Sequence, residues 1–217
     1  MSGPAKTRHR VLILAVAAGA ILLALTLRVV VLGAGAPLGW DRAITRAVRG
    51  AGPGWLRAAM TDVTALGDGT VLTFVVLAAA GLLLVLRRWR VALLVVAATW
   101  SGALLAAHAK LWAGRARPEV LDRLVEVRGL SFPSGHATNS AIVYLTLAGL
   151  VWHVERGRAV RAYTLVVAGL LVALIGTSRV YLGVHWSSDV LAGWCAGALW
   201  AMLWWWIGER AGLRRRG

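Results

Sequence analysis

The sequence predicts an all-α polytopic membrane protein with six transmembrane helices, and three observations carry that prediction. First, 59% of the 217 residues are hydrophobic and only 15% are charged, against about 45–50% apolar and roughly a quarter charged in soluble domains. Too little polar surface remains to cover a globule. Second, the apolar residues gather into runs close to the roughly 20 residues that cross a bilayer core about 30 Å thick. Third, the basic residues stand at the ends of those runs. The net charge of +15 therefore does not describe a nucleic-acid surface, which would interleave cations along one face. No nucleic-acid partner is expected; the bilayer is.

Taken in order, the first span covers 11–32. Arg8 and Arg10 precede it as they would a signal peptide, but its apolar stretch is too long for a typical signal core, and "GAGAPLGW" is a weak cleavage site. It is read as a span, with Arg28 snorkelling from its last turns. Residues 41–66 do not span. They place Trp55, Leu56, Ala59, Met60 and Val63 at helical spacing, as in a short amphipathic helix lying on the interface, separated from an earlier turn by "GAGPG". An ordinary connecting loop is the competing reading. Five further spans follow at 70–86, 91–109, 137–153, 160–177 and 188–208. No internal repeat or second domain interrupts them, so residues 1–217 are read as one membrane-embedded unit.

Basic residues set the sidedness, because Lys and Arg are retained on the cytoplasmic face. With the N-terminus inside, the inner segments carry Lys6, Arg8, Arg10, Arg87, Arg88, Arg90, Arg156, Arg158, Arg161, Arg210, Arg214, Arg215 and Arg216 against only Glu155 and Glu209. The outer segments are nearly balanced. Both termini are then cytoplasmic, and "WWW" at 204–206 falls at an inner-face aromatic belt.

Three polar stretches share the outer face: "KLWAGRARP" with Lys110, Arg115, Arg117 and Pro118; "FPSGHA" with Ser134, Gly135 and His136; and "SRVYLGVHWSSD" with Arg179, His185 and Asp189. Singly, each residue has an ordinary reading. Lys110 and Arg179 are snorkelling anchors, Ser134 is an N-cap, and Asp189 is an acid in a helix's first turn. Jointly those readings fail, because three cations, two histidines and a carboxylate converge from three pairs of helices. Cations beside a helix N-terminus make an anion site, with phosphate its natural occupant. Two histidines add a nucleophile and a proton donor. Asp189 follows His185 by four residues, one turn away if that stretch is helical, and would then set the imidazole tautomer. Lys110 is itself a departure, since Lys6 is the only other lysine in a chain that uses arginine elsewhere, and the two cations are not equivalent. Arg115 stays unassigned; His9, His108 and His153 are read as structural, and Cys195 as a small apolar residue.

The pattern Lys110–six residues–Arg117–Pro118, Pro133–Ser134–Gly135–His136 and Ser178–Arg179–five residues–His185–three residues–Asp189 resembles the three-part signature of the type-2 phosphatidic acid phosphatase superfamily, over residues 110–189. The six-span layout is similar to that of the family's membrane branch. Its soluble vanadium-dependent haloperoxidases lack such spans. The resemblance implies that His185 attacks phosphorus to form a phosphohistidine, that Asp189 orients it, and that His136 protonates the leaving oxygen and then activates water. It assigns Lys110, Arg117, Arg179, Ser134 and the Gly135 amide to the phosphate oxygens, and it requires neither metal nor other cofactor. Three cations suit a monoester carrying about −1.5 to −2 charges. The expected substrate is a lipid phosphate reaching an extracytoplasmic site from the bilayer of a bacterial inner membrane. Polyprenyl diphosphate ranks first, ahead of phosphatidylglycerol phosphate and phosphatidic acid. The 119–131 loop is placed to cover the pocket. The competing function is a non-catalytic phospholipid-binding or transport protein, which needs the cations but not the His–Asp geometry.

Overall fold

The computed structural model describes residues 35–119 and 123–212, residue 33 and, between 16 and 28, all but 18, 22 and 25. Among the described residues the chain is helical with no strand. From residue 39 onward, seven helices follow one another among the described residues: α1 Gly39–Val48, α2 Gly54–Ala65, α3 Gly69–Val85, α4 Trp89–Ala113, α5 Gly135–Val154, α6 Arg158–Tyr181 and α7 Ser187–Arg210. By length and composition, α4 to α7 are each able to cross a membrane, and a fifth crossing results if α2 and α3, bent by 49° at their junction, count as one broken span. At 1.5 Å per residue the 25 residues of α4 reach about 37 Å, more than a bilayer core. The expected first span, 11–32, lies largely outside the described residues. Its described part is helical and brings Leu23 and Leu27 against Phe132 and Ala192.

Helix α5 is the hub. It packs most extensively on α7, next on α6 and α4, and it buries Ala137, Ala141, Ile142 and Ala148. Between lipid-exposed helices apolar area gives little drive to associate, so close approach of small residues supplies the contact. Gly197 of α7 shows it: a Cβ there would lie 2.6 Å from both the Ala141 Cβ and the Thr138 carbonyl oxygen. Two indoles add hydrogen bonds, Trp194 Nε1 donating to the Val172 carbonyl (3.0 Å) and Trp200 Nε1 to that of Ala98 (2.9 Å). Phe74, Leu77, Leu82, Trp100 and Leu105 stay exposed, as side chains that meet lipid must be.

Residues 41–66 are not one amphipathic helix and a turn but parts of two helices, α1 and α2. The apolar stripe on α2 is shared: Leu56 and Met60 pack against Tyr181, Leu182 and Val184 at and just beyond the end of α6, while Trp55 points outward. The loop before α5 closes over the same place. Leu124, Val125 and Val127 join that cluster, the Leu124 amide donates to the Leu182 carbonyl (2.9 Å), and Arg57 Nη2 donates to the Leu124 carbonyl (3.1 Å). The ends of α4 and α6 and the beginnings of α5 and α7 thus meet under one cover.

Candidate active site

Each polar stretch is delivered by a helix end. Gly114 terminates α4 with φ +59°, a left-handed conformation that favours glycine. The turn leaves Lys110 in the last helical turn and directs Arg115 and Arg117 inward. Ser134 caps α5, its hydroxyl accepting the Ala137 amide at 3.5 Å. His185 lies between α6 and α7, and its amide donates to the Arg179 carbonyl at 3.3 Å. The stretch from His185 to Asp189 does not wind up as one turn of helix, contrary to the geometry considered from spacing. His185 precedes the N-cap Trp186, whereas Asp189 is the third residue of α7. Its Oδ2 turns back to accept the Trp186 amide at 2.9 Å. That capping contact, rather than an i,i+4 stacking, faces the carboxylate toward His185.

The two nitrogens of His185 meet different neighbours. Nε2 lies 3.0 Å from Arg117 Nη1. A guanidinium has only donors, so Nε2 is the acceptor and the ring proton sits on Nδ1. Nδ1 faces the Ser131 hydroxyl at 3.4 Å and Asp189 Oδ2 at 3.6 Å. Ser131 passes the contact on, since its hydroxyl donates to Asp189 Oδ2 at 2.5 Å. Burial is nearly complete, at 1% exposure, and pushes the imidazole down to about 3; Asp189 opposes that shift, and the Arg117 and Arg179 charges add to it. His185 is therefore a neutral imidazole with its lone pair on Nε2.

Around that lone pair stand the cations. Besides His185, Arg117 donates to the Val184 carbonyl (2.8 Å) and, through Nε, to that of Gly129 (3.0 Å). Burial lowers its pKa, with Arg123 adding to the effect and Asp189 opposing it. Arg179 is 4% exposed. Its Nη1 donates to Thr64 Oγ1 at 2.8 Å, while its buried Nε has no protein partner. Lys110 Nζ donates to the Leu130 carbonyl (3.2 Å) and lies 3.8 Å from where a Cβ on Gly135 would be. His136, half-buried, sits under the α2–α3 junction, where a Cβ on Gly67 would come within 3.2 Å of its Cδ2. It lies in the field of Arg179, Lys110 and Arg117, which the Asp68 carboxylate opposes. Such an arrangement can hold a tetrahedral oxyanion and present to its centre one nitrogen lone pair. Among the described residues no three His, Cys, Asp or Glu side chains come together as a metal ion would need.

Four contributors were not foreseen. Arg115, left unassigned from sequence, is fully buried and ion-paired with Asp189 (2.5 Å) and Asp41 (2.9 Å). Ser131 ends the loop read as covering the pocket, and Asp41 and Thr64 sit in the 41–66 segment read as an interfacial helix or a connecting loop.

With this geometry in place, likeness to known proteins carries weight. The family model described as "PAP2 superfamily" matches residues 91–212. The chain belongs to the PAP2 superfamily. A PAP2 relative, phosphatidylglycerophosphatase B of Bacillus subtilis (strain 168), is 37% identical over 161 residues, covering 73% of this chain and 78% of the relative. An undecaprenyl-diphosphatase of Sulfolobus acidocaldarius is 37% identical over 73 residues, 31% of this chain and 29% of its own. Among solved structures, the transmembrane PAP2-type phosphatidylglycerolphosphate phosphatase from Bacillus subtilis superposes with a TM-score of 0.77 at 32% identity, covering 91% of this chain and 98% of that one. The chain is accordingly a multi-pass membrane protein and a lipid phosphate hydrolase of the PAP2 superfamily.

Proposed function

We propose that this PAP2 enzyme cleaves a lipid phosphomonoester or diphosphate through a phosphohistidine on His185, in a site on the extracytoplasmic face. The observation that carries the proposal is the Nε2 lone pair of a buried, neutral His185 held against Arg117 at 3.0 Å. Phosphate oxygens are stronger acceptors for a guanidinium than an imidazole nitrogen is. A phosphate entering here takes Arg117 onto its oxygens and leaves Nε2 facing phosphorus.

The steps then follow. Nε2 forms a bond to phosphorus while the bond from phosphorus to the lipid oxygen breaks, and His136 gives its proton to that oxygen. Lys110, Arg117, Arg179 and the Ser134–Gly135 turn hold the non-bridging oxygens, where preplaced donors act most strongly on developing charge. The ring becomes a cation, which Asp189 stabilises across Nδ1. His136, now neutral, takes a proton from water as the water oxygen attacks phosphorus. The P–N bond breaks, inorganic phosphate leaves, and both histidines return to their starting forms.

For substrate, our reading places phosphatidylglycerol phosphate ahead of the polyprenyl diphosphate ranked first from sequence, supported by the extent of likeness to the relatives. The relative that acts on it aligns over most of its length, whereas the undecaprenyl-diphosphatase aligns over 29% of its own. Release of phosphate from phosphatidylglycerol phosphate, undecaprenyl diphosphate and phosphatidic acid, measured in detergent with EDTA, tests both statements. Wild type should release phosphate, and fastest from the first substrate; His185→Ala should release none. A folded wild type inactive on all three lipids would instead favour the binding or transport reading.

A further inference from the structure

Behind the oxygen of Asp189 that faces His185 lies a second buried ion pair, and neither of its members was assigned to the site from sequence. Arg115 and Asp41 are each 0% exposed. Every donor of the Arg115 guanidinium is used: Nε to the Gly35 carbonyl (3.2 Å), Nη1 to Ser188 Oγ (2.7 Å) and Asp189 Oδ1 (2.5 Å), and Nη2 to the Ala36 carbonyl (3.3 Å) and Asp41 Oδ2 (2.9 Å). The Ser188 hydroxyl accepts from Arg115 and donates to Asp41 Oδ2 at 2.7 Å. Asp41 Oδ1 accepts the Ser188 amide (2.9 Å) and the Ser187 hydroxyl (2.8 Å), so a residue of α1 caps the first turn of α7.

Stability alone does not account for this arrangement. A buried ion pair is often matched or bettered by apolar residues of similar volume, because desolvation offsets the attraction. Its geometry is specific instead. Arg115 holds Oδ1, the oxygen His185 does not face; Oδ2 is held by the Trp186 amide and the Ser131 hydroxyl and faces Nδ1. With both oxygens tethered, the carboxylate cannot rotate away from the ring. The charges matter too. Arg115 facing Asp189 alone would neutralise it. With Asp41 on its other side, the three groups sum to one negative charge, opposite the ring that turns cationic when His185 is phosphorylated.

We propose that Asp41 and Arg115 are positioning residues of the phosphoryl transfer, a clamp that fixes the Asp189 carboxylate and keeps its charge available to His185. The proposal rests on the phosphohistidine reading above. It separates two kinds of inhibitor. Orthovanadate gains a fifth ligand from an aligned nucleophile and so reports the position of His185, whereas inorganic phosphate reports only the cations.

The test measures kcat, KM and the inhibition constants of orthovanadate and phosphate for wild type, Asp41→Asn and Arg115→Lys in detergent. Asp41→Leu/Arg115→Met, which replaces the pair by apolar volume, keeps the question open to test if the single variants do not fold. In the folded variants kcat should fall roughly 10–100-fold, the range typical of lost outer-shell support, and the vanadate constant should rise in step. KM and the phosphate constant should stay within about twofold; a vanadate constant that rises while the phosphate constant does not is a result that loss of folded enzyme cannot produce. Full kcat in the double variant, or vanadate and phosphate constants that move together, would overturn the clamp. A wild type that releases no phosphate would sink the phosphatase reading itself, and the clamp's role with it.

Discussion

At the scale of single residues, the protonation of His185 is set by what touches each nitrogen. Its sign has a consequence for stability. The imidazole is ordinary in the unfolded chain, near 6.5, and held at about 3 in the folded one. Between those values the unfolded chain binds the extra proton, so stability is fully present above pH 6.5 and is lost as pH falls toward 3. A glutamine at the same position does not titrate. The melting temperature of wild type relative to His185→Gln, followed from pH 7.5 to 4.5 in one detergent, should therefore decline as pH falls; a constant difference would show that His185 is not held neutral. Residue identity also limited what spacing could reveal. Lys110, Arg117, His136, Arg179, His185 and Asp189 were legible because they recur at the intervals of a known signature. Arg115 was not, because a lone arginine two positions before Arg117 looks like one more interfacial cation until Asp41 and Asp189 are seen on either side of it.

At the scale of elements, the site depends on where helices stop and how closely two of them approach. The start of α7 carries Asp189, and the Ser134 amide before α5 donates to the Asp189 carbonyl at 3.1 Å. Any displacement of α7 from α5 is thus felt at Asp189. Gly197 is a narrow point of that seam where backbone is one of the opposing groups. Gly197→Ala should destabilise the protein by about 1–3 kcal/mol, the usual cost of overpacking, and lower kcat as well. Thermal unfolding in detergent beside phosphate release would check both; an unchanged melting temperature would mean that the seam opens without cost. The helices themselves were readable as apolar runs. Their ends were less so: α4 continues to Ala113 and α6 to Tyr181, past the predicted 109 and 177, because the last turns carry the polar residues that make an apolar run appear to stop.

At the scale of the whole molecule, the described residues place the motif ends of α4 to α7 together, and the proposal that this face is extracytoplasmic rests on the distribution of cations. With Cys195 replaced by alanine, a single cysteine can report sidedness. On intact cells a membrane-impermeant maleimide should label Glu126→Cys, on the covering loop, and should not label Arg156→Cys, in the turn between α5 and α6. The reverse pattern would invert the topology and place the site in the cytoplasm.

The sequence by itself determined the class of protein and its family, and it named the residues proposed for the anion pocket, because hydropathy and motif spacing are local properties of a chain. Only the tertiary structure decided which nitrogen of His185 is free, which oxygen of Asp189 serves it, and that Asp41 and Arg115 stand behind them. Those facts depend on groups far apart in the chain: Arg117 meets His185 68 residues away, Arg115 meets Asp189 and Asp41 at 74 each, and Asp41 meets Ser188 at 147. No local pattern encodes such meetings. They arise because each buried donor and acceptor must find a partner once water is excluded, and the packing of α1 and α7 settles which partner is within reach.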